Sequence, residues 1–215
     1  MARAAGTVEA THGRPGIAVL GGSFDPPHVS HRKLAAAALE RLPVQQVRVI
    51  PAGDHPHKRA RGMTAGGQRL AMCRLAFAFD PRIVVDDREM RRSGPSFTVD
   101  TLAELAAEHP GHPLYFLIGS DNLPLLPTWR DHHRVLALAT IVTYPRAGHA
   151  VDASVLEGLD LDAEERRTLL ANILDVPVDA IAATAVRDQW RAGRPDRTIL
   201  DPAVADYIEA NGLYR

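Results

Sequence analysis

From Ile17 onward the apolar positions follow two alternating patterns. Short runs of apolar and β-branched residues at 17–21 (IAVLG), 47–51 (VRVIP), 83–86, 114–118 (LYFLI) and 140–144 predict strands buried on both faces. Longer stretches between them carry apolar residues three and four apart and predict helices. These are 28–41, with Leu34, Ala38, Leu39 and Leu42 on one side, 64–79, with Leu70, Cys73, Arg74 and Phe77, then 99–108 and 129–138. Alternating strands and helices with right-handed crossovers predict an α/β fold, a Rossmann-like doubly wound parallel sheet. The last third is helical in pattern, at 162–174, 184–192 and 201–211, the final helix stopped by Gly212. The expected organisation is a flexible arm over 1–16 and one domain over 17–215, with a helical C-terminal part from about 155 to 215.

Composition narrows the function classes. With 46% apolar and 24% charged residues in 215, the chain is an ordinary globule and not a disordered one. A net charge of −1 gives no basic surface for coating nucleic acid, so no nucleic-acid partner is expected. The single cysteine, Cys73, excludes an intrachain disulfide and lies on an apolar helix face, which predicts core packing. The apolar run at 136–144 is far short of the roughly 20 residues of a membrane helix, and the first residues lack a signal-peptide core. A cytoplasmic protein without a membrane partner is therefore expected, its oligomeric state open and a homo-oligomer included. His132 and His133 are adjacent, so a helix would direct their rings apart, and His55 and His57 flank Pro56 without acidic or cysteine neighbours at ligand spacing. No residues are assigned to a metal.

The most informative segment is 21–31, GGSFDPPHVSH. A strand runs into a glycine pair, and a helix begins after two prolines. Glycines admit close backbone approach to an anion, and the open N–H groups of a helix start favour negative charge. His28 and His31, three apart, share a helix face there and can donate to phosphoryl oxygens. Neither the Walker pattern nor G-x-G-x-x-G is present. A glycine turn beside two solvated histidines would be the simpler reading of the pair alone. The full string, however, resembles the G-G-[ST]-F-D-P-x-H-x-G-H signature of the nucleotidyltransferase superfamily at ten of eleven positions, Ser30 standing where glycine is usual. The resemblance implies that His28 and His31 contact ATP phosphates, with Gly21, Gly22, Ser23 and Phe24 in the same ATP site.

Within that superfamily the chain resembles bacterial nicotinate-nucleotide adenylyltransferases from Ile17 to Arg215. Residues 51–58, PAGDHPHK, are similar to a family loop ending in a basic residue, which implies Lys58 at a substrate phosphate and His57 beside the nicotinate nucleotide. Residues 87–98 resemble E-x-x-R-x-x-P-S-[YF]-T, where Ser96 or Thr98 can cap the next helix and the resemblance gives Thr98 a substrate role. Gly119 and Asp121 match I-G-x-D, at a nucleotide ribose. Pro127-Thr128-Trp129 matches a motif whose indole faces the pyridine ring, although composition alone would fold Trp129 onto the core. Asp25 is placed with the nicotinate nucleotide as well. Residues 181–187, IAATAVR, resemble [IV]-S-[SA]-T-x-[IV]-R, which implies Ile181, Thr184 and Arg187 around the outer ATP phosphates.

Two departures stand out. Ala182 replaces a serine, a loss of about 1 kcal/mol if that hydroxyl capped the helix or met phosphate. Tyr144 replaces an arginine, with Arg146 two positions on. The closing Gly212-Leu213-Tyr214 is expected to serve packing. The implied activity is adenylyl transfer from ATP to nicotinate mononucleotide, a step of NAD biosynthesis giving nicotinate adenine dinucleotide and pyrophosphate, with Mg2+ carried on ATP. Two alternatives stay open. One is a sister enzyme taking nicotinamide mononucleotide or phosphopantetheine; the other is a non-catalytic nucleotide-binding paralogue, suggested by Ala182 and Tyr144.

Overall fold

Five short apolar segments pair into one sheet: β1 (Gly16–Gly22), β2 (Val44–Pro51), β3 (Ile83–Val85), β4 (Leu114–Gly119) and β5 (Thr140–Tyr144). The structure, a computed structural model, describes residues 14–53, 63–177 and 181–215. The strand order is β3-β2-β1-β4-β5, all parallel, so the chain winds one way from β1 and then the other. Ile17 to Leu20 pair with Leu114 to Leu117, and Tyr115 to Gly119 pair with Thr140 to Tyr144. Every residue of β4 is buried, as both faces of a central parallel strand are covered. The doubly wound α/β fold expected from the alternation is the one formed.

The helices are α1 (Val29–Arg41), α2 (Gly66–Ala76), α3 (Arg88–Arg91), α4 (Thr98–Glu108), α5 (His132–Leu138), α6 (Ala163–Ala171), α7 (Ala183–Arg191) and α8 (Pro202–Ala210). Contacts divide the chain into two compact units. One is built on Ala37–Val47 and Phe97–Asp179 with the start of the chain up to Leu20; the other comprises Gly21–Ala36, Arg48–Ser96 and Ala180–Arg215. The C-terminal helices are shared out: α6 belongs to the former, α7 and α8 to the latter, where α8 packs on α2. Among the described residues no helix is long and apolar enough to cross a membrane.

Three segments differ from the pattern. The helix expected at 129–138 starts only at His132, because Trp129 is extended and Asp131 takes a left-handed conformation at φ 53°. A 3-10 stretch, Ser120–Thr128, precedes it, and its Pro124 and Pro127 lack the donors a regular α-helix needs. On α2 the buried face is Gly66, Arg69, Met72, Cys73 and Ala76; Arg74, expected among the inward residues, is exposed. The helix expected at 162–174 ends at Ala171, and the chain then joins the sheet edge. Thr143 N donates to Asn172 O at 2.9 Å and Leu174 N to Thr143 O at 2.8 Å. Cys73 is fully buried, as expected, and burial pushes its thiol well above the usual range.

Candidate active site

In the second unit the end of β1 turns through Gly22-Ser23-Phe24 into the start of α1. Gly22 packs closely on the loop: a Cβ there would lie 3.1 Å from the Phe24 ring, which would have to give by a few tenths of an ångström. Phe24 is buried with φ 47°, a left-handed conformation that costs a non-glycine residue on the order of 1 kcal/mol. Its ring offsets that strain by packing edge-on to His31 at 4.9 Å and to Phe77 at 5.9 Å. The Asp25-Pro26 peptide is cis.

His28 and His31 lie one helical turn apart with ring centroids separated by 3.8 Å. The His28 backbone N–H donates to His31 Nδ1 at 3.1 Å. Neutral His31 therefore carries its proton on Nε2, so the far edge of the ring is a donor. Arg187, on α7, brings a cation to the same loop. Its Nη1 donates to Asp25 O at 2.7 Å and its Nη2 to Thr184 Oγ1 at 3.2 Å. Ala182 is the N-cap of α7 with extended φ and ψ, and no side chain caps the helix, as the missing serine implies. Ser30 introduces a hydroxyl that is buried and has no hydrogen-bond partner among the described residues.

Two residues that organise this loop, and one buried ion pair in the same unit, escaped the sequence reading. Arg69 is fully buried and donates to three carbonyls: Thr64 O at 2.9 Å, Ser23 O at 2.9 Å and Ala52 O at 2.8 Å. One planar guanidinium thus ties the ends of β1 and β2 together, a geometry that lysine cannot reproduce. Tyr214 does more than pack: its hydroxyl donates to Asp25 Oδ1 at 2.7 Å, while Thr64 N donates to Oδ2 at 3.1 Å. Asp86 and Arg88 form a buried pair, Arg88 Nη2 reaching Asp86 Oδ2 at 2.7 Å. The only local signal of the first was an arginine three residues before Met72 on an apolar face; Tyr214 left none.

In the first unit Gly119 ends β4. A Cβ there would press against the Asp121 carboxylate and lie 2.9 Å from Arg146 Cγ, so glycine is what lets these two side chains approach the strand end. Arg146 Nε is 3.8 Å from Asp121 Oδ1. Ser120, buried, accepts from Arg146 N at 2.9 Å and donates to His149 O at 3.0 Å, which fixes the loop after β5. Arg146 thus brings a guanidinium to the end of β4, two positions after Tyr144; Tyr144 is half-buried, and burial pushes its phenol up.

Thr98 is the first residue of α4, whose N-cap is Phe97. Neither Ser96 nor Thr98 caps the helix; Ser96 Oγ instead donates to Glu89 O at 3.4 Å, because extended Phe97 holds the cap position. Trp129 packs edge-on to Phe116, centroids 6.0 Å apart, and is half-buried. Arg130 lies over the exposed Phe97 ring at 4.7 Å. His57 and Lys58 lie outside the described residues. The adjacent His132 and His133 do not diverge as expected: their centroids are 4.0 Å apart.

The model of the cytidylyltransferase-like family matches residues 19–189. A probable nicotinate-nucleotide adenylyltransferase of Stenotrophomonas maltophilia is 42% identical over 212 residues, covering 91% of this chain and 95% of the relative. One of Aeromonas salmonicida is 41% identical over 211 residues, covering 93% and 97%. In fold the chain is similar to Plasmodium falciparum nicotinic acid mononucleotide adenylyltransferase complexed with NaAD, at TM-score 0.75 and 20% identity over 94% of this chain and 98% of that one. From the strand order, the glycine elbow with its histidine pair, and these full-length likenesses together, the chain belongs to the cytidylyltransferase-like family and, within it, to the nicotinate-nucleotide adenylyltransferases.

Proposed function

We propose that this chain transfers the adenylyl group of ATP to nicotinate mononucleotide, releasing pyrophosphate and forming nicotinate adenine dinucleotide. The observation that carries the reading is the His28–His31 pair, oriented by the backbone bond to Nδ1, in a loop to which Arg187 is anchored. A phosphate oxygen of the mononucleotide attacks the α-phosphorus of ATP, and the bond from that phosphorus to the bridging oxygen of the β-phosphate breaks. The attacking phosphate is already an anion and needs no general base. Catalysis is then positioning and charge stabilisation.

His28 and His31 donate to ATP phosphate oxygens, where charge grows as pyrophosphate leaves. Arg187, with Thr184 and the uncapped start of α7, meets the outer phosphates, Ile181 flanking them. Gly21, Gly22, Ser23 and Phe24 line the nucleotide with backbone. Gly119 and Asp121 meet a ribose hydroxyl, with Arg146 set against Asp121. Thr98 and Trp129 serve the pyridine end, Phe116 bracing the indole from behind. His57 and Lys58 complete the mononucleotide side. Asp25 is held by Tyr214 and Thr64, one bond to each oxygen, and its remaining acceptor sites serve the nicotinate nucleotide. Magnesium would come on ATP, held largely by phosphates and water, and would neutralise phosphate charge there.

Pyrophosphate release with ATP and a panel of nicotinate mononucleotide, nicotinamide mononucleotide and phosphopantetheine tests the proposal. Fastest release with the nicotinate nucleotide is expected. Preference for another acceptor would assign the chain to a sister activity, and no release with any would leave a binding protein.

A further inference from the structure

We infer that His132, His133 and Asp160, in the first unit, form a binding site for a zinc-type divalent cation, separate from the residues assigned to adenylyl transfer. The two histidines are the first residues of α5, and Asp160 lies in the loop leading into α6. A regular helix turns neighbouring side chains apart, but at its first two positions no preceding turn crowds the rings. Both lean toward one carboxylate. His132 Nε2 is 3.8 Å and His133 Nε2 is 3.7 Å from the same oxygen, Asp160 Oδ2. The three ligand atoms lie within 4.8 Å of one another. A tetrahedral ion with bonds of about 2.0–2.1 Å sets its ligand atoms roughly 3.3–3.4 Å apart, so the two nitrogen–oxygen separations shorten by about 0.4 Å and the histidine nitrogens, at most 4.8 Å apart, close by no more than about 1.5 Å as the ion binds. Asp160, on the surface, is free to make that movement.

The outer partners argue for a metal as well. Glu165 belongs to a capping box: its Oε2 accepts from Asp162 N at 2.8 Å, while its own N–H donates to Asp162 Oδ1 at 2.8 Å. That fixes the carboxylate, and its Oε1 stands 2.7 Å from His133 Nδ1. With Nδ1–H donating to Glu165, the Nε2 lone pair of His133 faces Asp160, the carboxylate–histidine arrangement that orients metal-bound imidazoles. His132 Nε2 lies 2.9 Å from Asp160 O; a cation takes the place of that hydrogen bond as the ring proton moves to Nδ1 and leaves the Nε2 lone pair as ligand. Two imidazoles and one carboxylate suit zinc and its neighbours rather than magnesium or calcium, which favour oxygen alone. His133 and Asp160 are exposed, so water can reach a fourth coordination position. The bound ion would clamp the start of α5 to the loop before α6.

The test is calorimetric titration of the chelator-treated full chain with Zn2+ alone, together with Co2+ absorption in the visible. Wild type is compared with His133→Ala, Asp160→Ala and Glu165→Gln, the last keeping a capping-box residue. Either alanine variant is expected to lose one zinc equivalent or bind it more than tenfold more weakly, and Glu165→Gln to weaken it by about tenfold. All three should keep wild-type pyrophosphate release, and zinc should raise the melting temperature of wild type most, of Glu165→Gln less, and of the alanine variants least. Zinc stoichiometry and affinity unchanged in both alanine variants, or no zinc binding by wild type, overturns the inference.

Discussion

The hydroxyl of Tyr214 donates to Asp25 Oδ1 across 2.7 Å, joining the penultimate residue of the chain to the loop that follows its first strand. Burial, then the charge and hydrogen bond of Asp25, push this phenol far above its ordinary range, so it remains a donor at every working pH. Tyr214→Phe should cost about 1.5–3 kcal/mol, the range for a hydrogen bond to a charged group, and raise the KM for ATP. Denaturant unfolding and initial-rate kinetics read the two effects; unchanged stability would return Tyr214 to plain packing.

His28→Ala and His31→Ala are each expected to lower pyrophosphate release by about tenfold or more while the fold is retained, because each removes a donor aimed at growing phosphate charge. Circular dichroism checks the fold. Turnover near wild type in both variants would take the pair out of the mechanism.

Arg69→Met leaves three buried carbonyls without their donor and should destabilise the chain by about 3 kcal/mol or more. Arg69→Lys should recover little, since one ammonium cannot reach Thr64, Ser23 and Ala52 together. Midpoints of urea unfolding decide it, and full recovery by lysine would reduce Arg69 to a simple charge.

Ala182→Ser restores a hydroxyl at an N-cap whose backbone, at φ −113° and ψ 133°, already suits capping. A gain of about 0.5–1 kcal/mol in stability and an ATP KM lowered severalfold are expected. A KM that does not move would show that phosphate binding at α7 rests on Arg187 and backbone alone.

Burial raises the Asp86 carboxyl, but hydrogen bonds and charge from Arg88, with Arg48 at 3.6 Å, outweigh it and hold the group below the carboxylate range. A depressed folded-state value contributes stability that is full above the unfolded value of about 3.9 and is lost as pH falls through the folded one. Asp86→Asn should therefore be less stable at pH 7 and show a flatter stability curve below about pH 4. Parallel acid titrations of both proteins would expose a wrong sign.

Local patterns carried the alternating strands and helices, the glycine elbow, the spacing of His28 to His31 and of Thr184 to Arg187, and the buried Cys73. Each depends on neighbours a few residues away, where periodicity and turn chemistry act. The contacts 189 residues apart between Tyr214 and Asp25, and 46 apart between Arg69 and Ser23, left no such mark. Arg69 shares a helix face with apolar neighbours, and only folding brings three carbonyl oxygens around its guanidinium. Arg146 likewise reaches Asp121 because Gly119 leaves space at the end of β4. His132 and His133 were separated on paper by regular helix geometry, yet both turn to Asp160, since the start of a helix leaves its first side chains unconfined. The chain alone determined which chemical groups line the strand ends; the tertiary structure decided which of them hold the others in place, because hydrogen bonds between distant segments exist only once packing has excluded water from them.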